Sequence, residues 1–185
     1  EEIIGDRMSF EYRMCTRCVM DTTDPDIVFD ENGVCNHCHT YDRMVREYVV
    51  DGEEGLRQLK QVAEKMRKDG QGKKYDCVIG VSGGVDSTYV AFRVKELGLR
   101  PLAVHLDNGW DSELAVKNIE ETLKRLDIDL YTEVLDWEEF RDLQVSFLKA
   151  STPDSEIPTD HAIVALLSNM AEKLGVKYII VGHIH

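Results

Sequence analysis

The sequence predicts an α/β protein in which a doubly wound parallel sheet follows a small cysteine-rich module. After Tyr75, short apolar runs alternate with segments of helical length, which is typical of parallel strands joined by helices. Before Tyr75, two pairs of cysteines stand in a stretch with too few apolar residues for a core of its own. We therefore predict an N-terminal module with a helical linker over residues 1–72 and a sheet domain over residues 73–185.

The sheet domain is predicted to alternate between four strands and four helices. The predicted strands cover residues 76–81, 101–106, 130–135 and 177–181. The predicted helices cover residues 86–97, 112–126, 137–149 and 160–174. Residues 40–69 of the linker are also predicted to be helical, with a break at Gly52 and Gly55. Because the sequence ends just after the fourth predicted strand, we expect the sheet domain to be truncated at its C-terminus.

The composition is that of a globular, acidic protein. The chain has 185 residues, a hydrophobic fraction of 43% and a formal net charge of −13. This charge argues against a nucleic-acid partner, and it requires a bound polyanion to be held by backbone amides, a helix N-terminus and a metal ion. The sequence lacks a long apolar run and a signal-peptide pattern, which predicts a cytoplasmic location without membrane insertion.

A glycine-rich loop between the first strand and the following helix predicts a phosphate site. The loop reads Ser82-Gly83-Gly84-Val85-Asp86-Ser87. Consecutive glycines allow a sharp turn and a close ligand, and the amides at a helix start favour an anion. The serine hydroxyls can donate to phosphate, and an aspartate beside an anion implies Mg²⁺ between them. The alternative is a structural turn with Asp86 as the helix cap. A Walker A loop is excluded because Gly-Lys-Ser/Thr is missing.

The four cysteines of the module form two Cys-x₂-Cys pairs, Cys15 with Cys18 and Cys35 with Cys38. Two such pairs predict a tetrahedral zinc site, and four thiolates leave no open position, so the zinc is expected to be structural. An iron–sulfur cluster and a redox role are the alternatives. The odd total of five cysteines argues against a disulfide framework. Cys77, in the first strand, is predicted to be a core residue.

The loop from Ser82 to Ser87 resembles the SGGxDS signature of the PP-loop ATP pyrophosphatases. The resemblance implies that the loop holds the pyrophosphate part of ATP, that AMP is transferred to a substrate oxygen, and that adenine lies near the ends of the first two strands. The nucleotide-binding residues predicted in this way are Val81, Ser82, Gly83, Gly84, Asp86, Ser87, His105, Leu106, Asp107, Gly182 and His183. For His105 we favour a structural role, for Asp107 turn formation is the alternative, and for His183 an exposed loop position is the alternative.

A second resemblance runs from about residue 13 to residue 183. Its strings include Cys15-Thr16-Arg17-Cys18-Val19-Met20-Asp21, His105-Leu106-Asp107-Asn108-Gly109-Trp110 and Ile157-Pro158-Thr159-Asp160-His161. They are similar to the N-acetyl sugar amidotransferases of bacterial surface-glycan pathways, which include lipopolysaccharide O-antigen and pseudaminic- or legionaminic-type sugars. The resemblance implies an enzyme that adenylates the acetamido oxygen of a nucleotide- or lipid-linked sugar and releases pyrophosphate. Ammonia then replaces AMP to give an acetamidino group.

The same resemblance implies roles for single residues and for partners. Ser82, Asp86, Asp160 and His161 are the predicted catalytic residues, and helix capping by Thr159 or Asp160 is the alternative for the Asp160 segment. Because no cysteine remains for a glutaminase, ammonia is expected from separate glutaminase- and cyclase-like subunits. The oligomeric state stays open, a homo-oligomer included. The competing hypotheses are a tRNA-thiolating PP-loop enzyme and a non-catalytic zinc-ribbon adaptor.

Overall fold

The computed structural model describes residues 11–182, and the chain divides into two compact units, residues 1–56 and 57–185. Two helices precede the sheet, α1 (Asn36–Tyr48) and α2 (Gly52–Asp69). The division falls inside α2, earlier in the chain than the predicted boundary after residue 72. The reason is that Ala63 and Met66, on the later turns of α2, are buried in the core of the second unit.

The first unit consists of short bridges and helix α1. Isolated antiparallel bridges join Met14 to Asp21 and Phe29 to Cys35, and α1 follows at once. This start is earlier than the predicted one at residue 40. The side chain of Asn36 accepts a hydrogen bond from the Val28 N–H, which ties the first turn of the helix to the preceding bridge.

The predicted break between the two linker helices is confirmed, but it lies at residues 49–51 and not at Gly55. The N–H of Gly55 donates to the carbonyl oxygen of Asp51, as in a continuing helix. A Cβ on Gly55 would lie 2.1 Å from the carbonyl oxygen of Val50. Gly55 therefore allows the incoming chain to pass close to the helix and does not end it.

The second unit is a four-stranded parallel sheet with the strand order β3-β2-β1-β4. Its elements in chain order are β1 (Cys77–Gly80), α3 (Val85–Glu96), β2 (Pro101–Asp107), α4 (Glu113–Leu126), β3 (Asp129–Val134), α5 (Trp137–Lys149), α6 (Ile157–Leu174) and β4 (Ile179–Ile180). All four predicted strands and all four predicted helices are confirmed, although their ends differ by a few residues.

Helices cover the two central strands from both sides, as expected of a doubly wound sheet. On one face, Cys77, Ile79 and Ala103 pack in a cluster with α3 and α4. On the other face, Val78 and Leu102 pack against α6. Strand β3 lies at the edge of the sheet, and its side chains are exposed or half-buried. The core role predicted for the first-strand cysteine is confirmed, and burial raises the pKa of its thiol to about 12.

Helix α6 begins at Ile157, earlier than the predicted start at Asp160. Pro158 lies in its first turn, where a missing N–H costs nothing because first-turn N–H groups have no partner within the helix. Glu156 occupies the N-cap position, so the capping alternative for Thr159 and Asp160 is wrong. Among residues 11–182, no helix combines the length and the apolar character that crossing a membrane requires.

Candidate functional site

The candidate site lies at the carboxyl end of β1, where the order in which the chain adds strands to the sheet reverses. From β1 the chain continues to β2 and β3 on one side, whereas β4 lies on the other side of β1. Such a switch point opens a crevice between the loops that leave the neighbouring strands. A Cβ on Gly182, just after β4, would lie 3.0 Å from Val90 and 3.3 Å from the carbonyl oxygen of Asp86. The end of β4 therefore meets the start of α3, which the glycine-rich loop precedes.

The two glycines of the loop have different roles. Gly83 has a φ of +74°, and a Cβ there would lie 2.4 Å from the carbonyl oxygen of Ala115 in α4. Gly84 has a φ of −79°, which any residue can adopt. A Cβ on Gly84 would meet its nearest neighbour, Ser82 Oγ, at 3.5 Å. The fold itself thus requires Gly83, whereas Gly84 leaves room that a ligand can use.

The two serines of the loop are hydrogen-bonded to each other across the turn. The Ser82 N–H donates to Ser87 Oγ at 3.2 Å, and the two hydroxyl oxygens lie 3.3 Å apart. Ser87 Oγ in turn donates to the carbonyl oxygen of Gly84 at 3.2 Å. Ser87 is buried and Ser82 is exposed. Ser87 therefore fixes the shape of the loop, and Ser82 presents its hydroxyl to the open side.

The start of α3 suits an anion. Gly84 is the N-cap, and within the described part of the chain no side chain caps this helix. Its first N–H groups are therefore available to a bound anion, with the helix dipole in support. Asp86 lies exposed in the first turn and is not the cap, so the capping alternative for this residue is wrong. His183, a predicted phosphate contact, lies outside the described residues.

A cavity of about 230 Å³ opens beside the loop. It is lined by Gly80, Val81, Ser82, Ser87, Val104, His105, Leu106, Asn108, Asp111, Thr159, Ile163, Leu166, Leu167, Val181 and Gly182. Six of these belong to the predicted nucleotide-binding set: Val81, Ser82, Ser87, His105, Leu106 and Gly182. The mostly apolar wall suits a flat ring such as a nucleobase, with polar groups at a few points.

Two predicted residues at the end of β2 make contacts within the protein. His105 is buried, and its Nδ1 lies 3.0 Å from the carbonyl oxygen of Val81. Because a carbonyl oxygen only accepts, Nδ1 carries the proton, which agrees with the structural role favoured for this side chain. Asp107 does not line the cavity. Its Oδ1 accepts from the Gly109 N–H at 3.0 Å, so its side chain forms the turn after β2.

Helix α6 contributes residues other than the predicted ones. Asp160 and His161 are exposed and do not line the cavity. Thr159 and Ile163 line it instead, and because they lie four residues apart they share one face of α6. The catalytic roles of Asp160 and His161 stay predictions.

The loop between β2 and α4 supplies two polar residues that sequence reasoning missed. Asn108 and Asp111 line the cavity. Trp110 lies between them in the sequence, and its ring nitrogen donates a hydrogen bond to Gln144 Oε1 at 2.7 Å. Its ring also packs edge-on against the ring of Trp137, with 5.3 Å between the ring centroids. These contacts fix the loop that carries the two polar side chains. Their place just after a strand end was the available signal, because ligands bind at that edge of a parallel sheet.

The four cysteines of the first unit form a compact cluster. Their Sγ atoms all lie within 4.8 Å of one another, with Cys15 and Cys38 at 3.9 Å and Cys18 and Cys35 at 3.6 Å. Four thiolates at zinc–sulfur bonds of about 2.3 Å in a tetrahedron would be about 3.8 Å apart, so the cluster fits zinc. Zinc bound there would join the two Cys-x₂-Cys pairs in a unit with a small core.

The protein environment shifts the pKa values of two of these thiols in opposite directions. Burial raises the pKa of Cys15, but hydrogen bonds from the backbone N–H groups of Arg17, Cys18 and Cys35 outweigh it and leave the pKa at about 6. Burial raises the pKa of Cys38 to about 12. The environment thus favours the thiolate form of Cys15 and the neutral thiol of Cys38, whose proton a bound metal ion would displace.

Comparison with known proteins gives two relatives and a structural likeness. No protein-family model matches the chain. It is 26% identical over 171 residues to the uncharacterized protein MJ1599 of Methanocaldococcus jannaschii, which covers 91% of this chain and 58% of that protein. It is 31% identical over 130 residues to the tRNA-specific 2-thiouridylase MnmA of Aster yellows witches'-broom phytoplasma, which covers 57% of this chain and 34% of that protein. The chain thus spans only part of the length of both curated relatives.

Among solved structures, the glutamine-dependent NAD+ synthetase of Acinetobacter baumannii in complex with adenosine diphosphate matches with a TM-score of 0.50. The match has 18% sequence identity and covers 70% of this chain and 26% of that chain. At this identity the likeness speaks for the fold alone. Together with the strand order and the cysteine cluster, it confirms the predicted fold class, a doubly wound parallel α/β sheet preceded by a four-cysteine module that can hold a metal.

Proposed function

We propose that the chain belongs to an ATP-dependent amidotransferase that converts the acetamido group of a sugar into an acetamidino group. The observation that carries the proposal is the loop from Ser82 to Ser87. Its exposed serine hydroxyl and the uncapped start of α3 face the crevice at the end of β1, next to an apolar cavity. This arrangement suits ATP, with the pyrophosphate part at the loop and adenine in the cavity.

The chain's own residues have distinct tasks in this proposal. The Ser82 hydroxyl and the first N–H groups of α3 bind the phosphate oxygens, and Ser87 keeps the loop in shape. Asp86 is exposed at the same helix start and is the residue that would hold Mg²⁺. Bound Mg²⁺ supplies charge neutralisation for the leaving pyrophosphate. Most of the catalysis then comes from positioning and from charge stabilisation.

The proposed reaction has two steps. The acetamido oxygen of the sugar bonds to the α-phosphorus of ATP, the bond to the pyrophosphate oxygen breaks, and the amide N–H proton is lost. Ammonia then adds to the carbon of the resulting imidate, and the carbon–oxygen bond to AMP breaks. The amide oxygen leaves with AMP, and the product is an amidine. Adenylation is needed because the oxygen of an amide is otherwise a poor leaving group.

The proposed ammonia source is a partner with glutaminase activity. Four of the five cysteines of the sequence form the cluster that can hold a metal, and the fifth is fully buried in β1. A glutaminase needs a free, accessible cysteine nucleophile, and in this proposal no cysteine of the sequence remains for that task. The proposed sugar substrate is a nucleotide- or lipid-linked N-acetyl sugar of surface-glycan biosynthesis, as the resemblance of the cysteine module implies.

The second candidate function is thiolation of tRNA. It is favoured by the 31% identity over 130 residues to a tRNA-specific 2-thiouridylase. Both candidate reactions begin with adenylation of a carbonyl oxygen, and they differ in the incoming atom. The net charge of −13 favours ammonia over sulfur, as does a cavity whose lining, within residues 11–182, includes no cysteine.

Pyrophosphate release by the purified protein separates the two candidates. The assay contains Mg·ATP and ammonium, with a panel of UDP-linked N-acetyl sugars in one arm and unmodified tRNA in the other. We expect an N-acetyl sugar to stimulate release and a product one mass unit lighter than the sugar substrate, because an oxygen is replaced by an NH group. Stimulation by tRNA alone would overturn the proposal and establish the second candidate.

A further inference from the structure

Two buried polar atoms in the wall of the cavity make no hydrogen bond within the described residues. They are Oδ2 of Asp111 and Oγ1 of Thr159. Asp111 comes from the loop after β2 and Thr159 from the first turn of α6, and both line the cavity beside the glycine-rich loop. Buried polar atoms in native proteins nearly always have a partner, so two orphans in one cavity point to a ligand.

The chemistry of the two atoms restricts what the ligand can be. A carboxylate oxygen only accepts hydrogen bonds, so the ligand must carry a donor. A hydroxyl accepts as well as donates, so the same ligand can use a second donor on Thr159. Within the described part of the chain, one titratable base lies beside Asp111, the ring of His105, which is charged only when both of its nitrogens carry protons. Its Nε2 lies 3.3 Å from Oδ2 without hydrogen-bond geometry.

Charge and size restrict the ligand further. An anionic sulfur donor would be repelled by the carboxylate of Asp111, whereas a cation is attracted. Both orphan atoms are withdrawn from solvent, so a ligand must bring a small donor group to them. A small cation with several N–H donors is ammonium.

We propose that Asp111 and Thr159 bind ammonium, with the carboxylate and the hydroxyl each accepting one of its N–H groups. This inference rests on the proposed function, since the site would hold the nitrogen source of that reaction beside the phosphate loop. The two residues would also favour ammonium over water, because only the cation gains from the carboxylate charge.

A binding experiment tests the site without any turnover. Thermal unfolding of the whole protein is followed in ammonium chloride, sodium chloride and tetramethylammonium chloride at equal ionic strength. We expect ammonium to raise the melting temperature of the wild type above the other two salts, because a ligand of the native state stabilises it. Asp111→Asn and Thr159→Val should each lose this difference, and Glu113→Gln, a nearby exposed acid-to-amide change, should keep it.

Equal melting in the three salts would mean that the two residues hold water only, and the proposal would be wrong. An equal response to sodium and ammonium would mean a site for any small cation and would overturn it as well. These outcomes do not depend on the sugar reaction. If no N-acetyl sugar stimulates pyrophosphate release, the proposed function fails while the salt comparison still decides the site.

Steady-state kinetics give a second readout that a structural role would not change. At saturating Mg·ATP and sugar, Asp111→Asn should raise the KM for ammonium about tenfold or more, as expected for a lost hydrogen bond to a charged group. The KM for ATP should stay within about twofold, since adenine is not the ligand. A raised KM for ATP with an unchanged KM for ammonium would assign the pair to the adenine amino group and overturn the proposal.

Discussion

The ring of His105 is hydrogen-bonded to the carbonyl oxygen of Val81, the residue that precedes the glycine-rich loop. Its Nδ1 lies 3.0 Å from that oxygen, and the side chain is buried. The N–H of Val81 donates to the carbonyl oxygen of Val104 on the same neighbouring strand. Both polar groups of the Val81 backbone are therefore held by β2, and the loop starts from a fixed point.

We predict that His105→Phe weakens nucleotide binding although the residue need not touch the phosphates. The phenyl ring leaves the Val81 carbonyl oxygen without its partner, which costs about 1–3 kcal/mol when the group stays buried. His105→Asn is the matched control, because its side-chain amide can donate in place of Nδ1. Titration of Mg·ATP by calorimetry should show weaker binding for the phenylalanine variant than for the asparagine variant. Equal loss in both would mean that the ring itself contacts the ligand.

Alanine substitutions at the two loop glycines should have different effects, one on folding stability and the other on nucleotide binding. Gly83→Ala forces a side chain into the carbonyl group of Ala115 at a positive φ, so we expect a lower melting temperature. Gly84→Ala has no such conflict, and its melting temperature should stay close to that of the wild type. If Gly84 lies under the phosphates, Gly84→Ala should still bind Mg·ATP less tightly. Thermal unfolding with and without nucleotide measures both effects.

Asp86→Asn should abolish pyrophosphate release and leave the cysteine cluster intact. The amide keeps the shape of the side chain and removes the charge that would hold Mg²⁺. Zinc content, measured by atomic emission, should stay near one ion per chain, because the cysteines lie in the other compact unit. Pyrophosphate release at the wild-type rate in this variant would remove Asp86 from the proposed metal site.

Cysteine substitutions should distinguish metal binding from core packing. Cys35→Ser removes a thiolate from the cluster, so we expect the zinc to be lost and the first unit to become sensitive to proteolysis. Cys77→Ser should retain zinc and instead lower the stability of the second unit, since it places a hydroxyl in a fully buried position. Zinc analysis and limited proteolysis of both variants test this contrast. Loss of zinc from Cys77→Ser would contradict it.

Acid should weaken the contact between Asp69, at the end of α2, and Tyr178, the residue before β4. Tyr178 donates a hydrogen bond to Asp69, and with Lys177 it holds the pKa of that carboxyl below its usual range. A lowered folded-state pKa means that the stabilisation is present above the ordinary value, about 3.9, and is lost as the pH falls through the folded-state value. Tyr178→Phe should therefore narrow the difference in melting temperature between neutral and acidic buffer. An unchanged difference would assign the acid sensitivity to other carboxyl groups.

Periodicity and spacing predicted the parts of the molecule that depend on neighbours in the sequence. The apolar run at Cys77–Ile79, the glycine-rich loop and the paired cysteines are all local patterns, and the structure has each of them. The cavity wall depends on long-range contacts and was predicted only in part. Thr159 lines it from the first turn of α6, which begins earlier than predicted, and Asp111 lines it from a loop whose Trp110 is hydrogen-bonded to Gln144 of α5.

The contact between Gly83 and Ala115 has a consequence for protein engineering. The turn of the glycine-rich loop is shaped by the backbone of α4, a helix that follows a further strand along the chain. Transplanting only the six residues of the loop into another α/β protein would carry over the sequence without the α4 backbone that packs against Gly83. A graft would keep its geometry only if the recipient offered a helix backbone at the same approach distance.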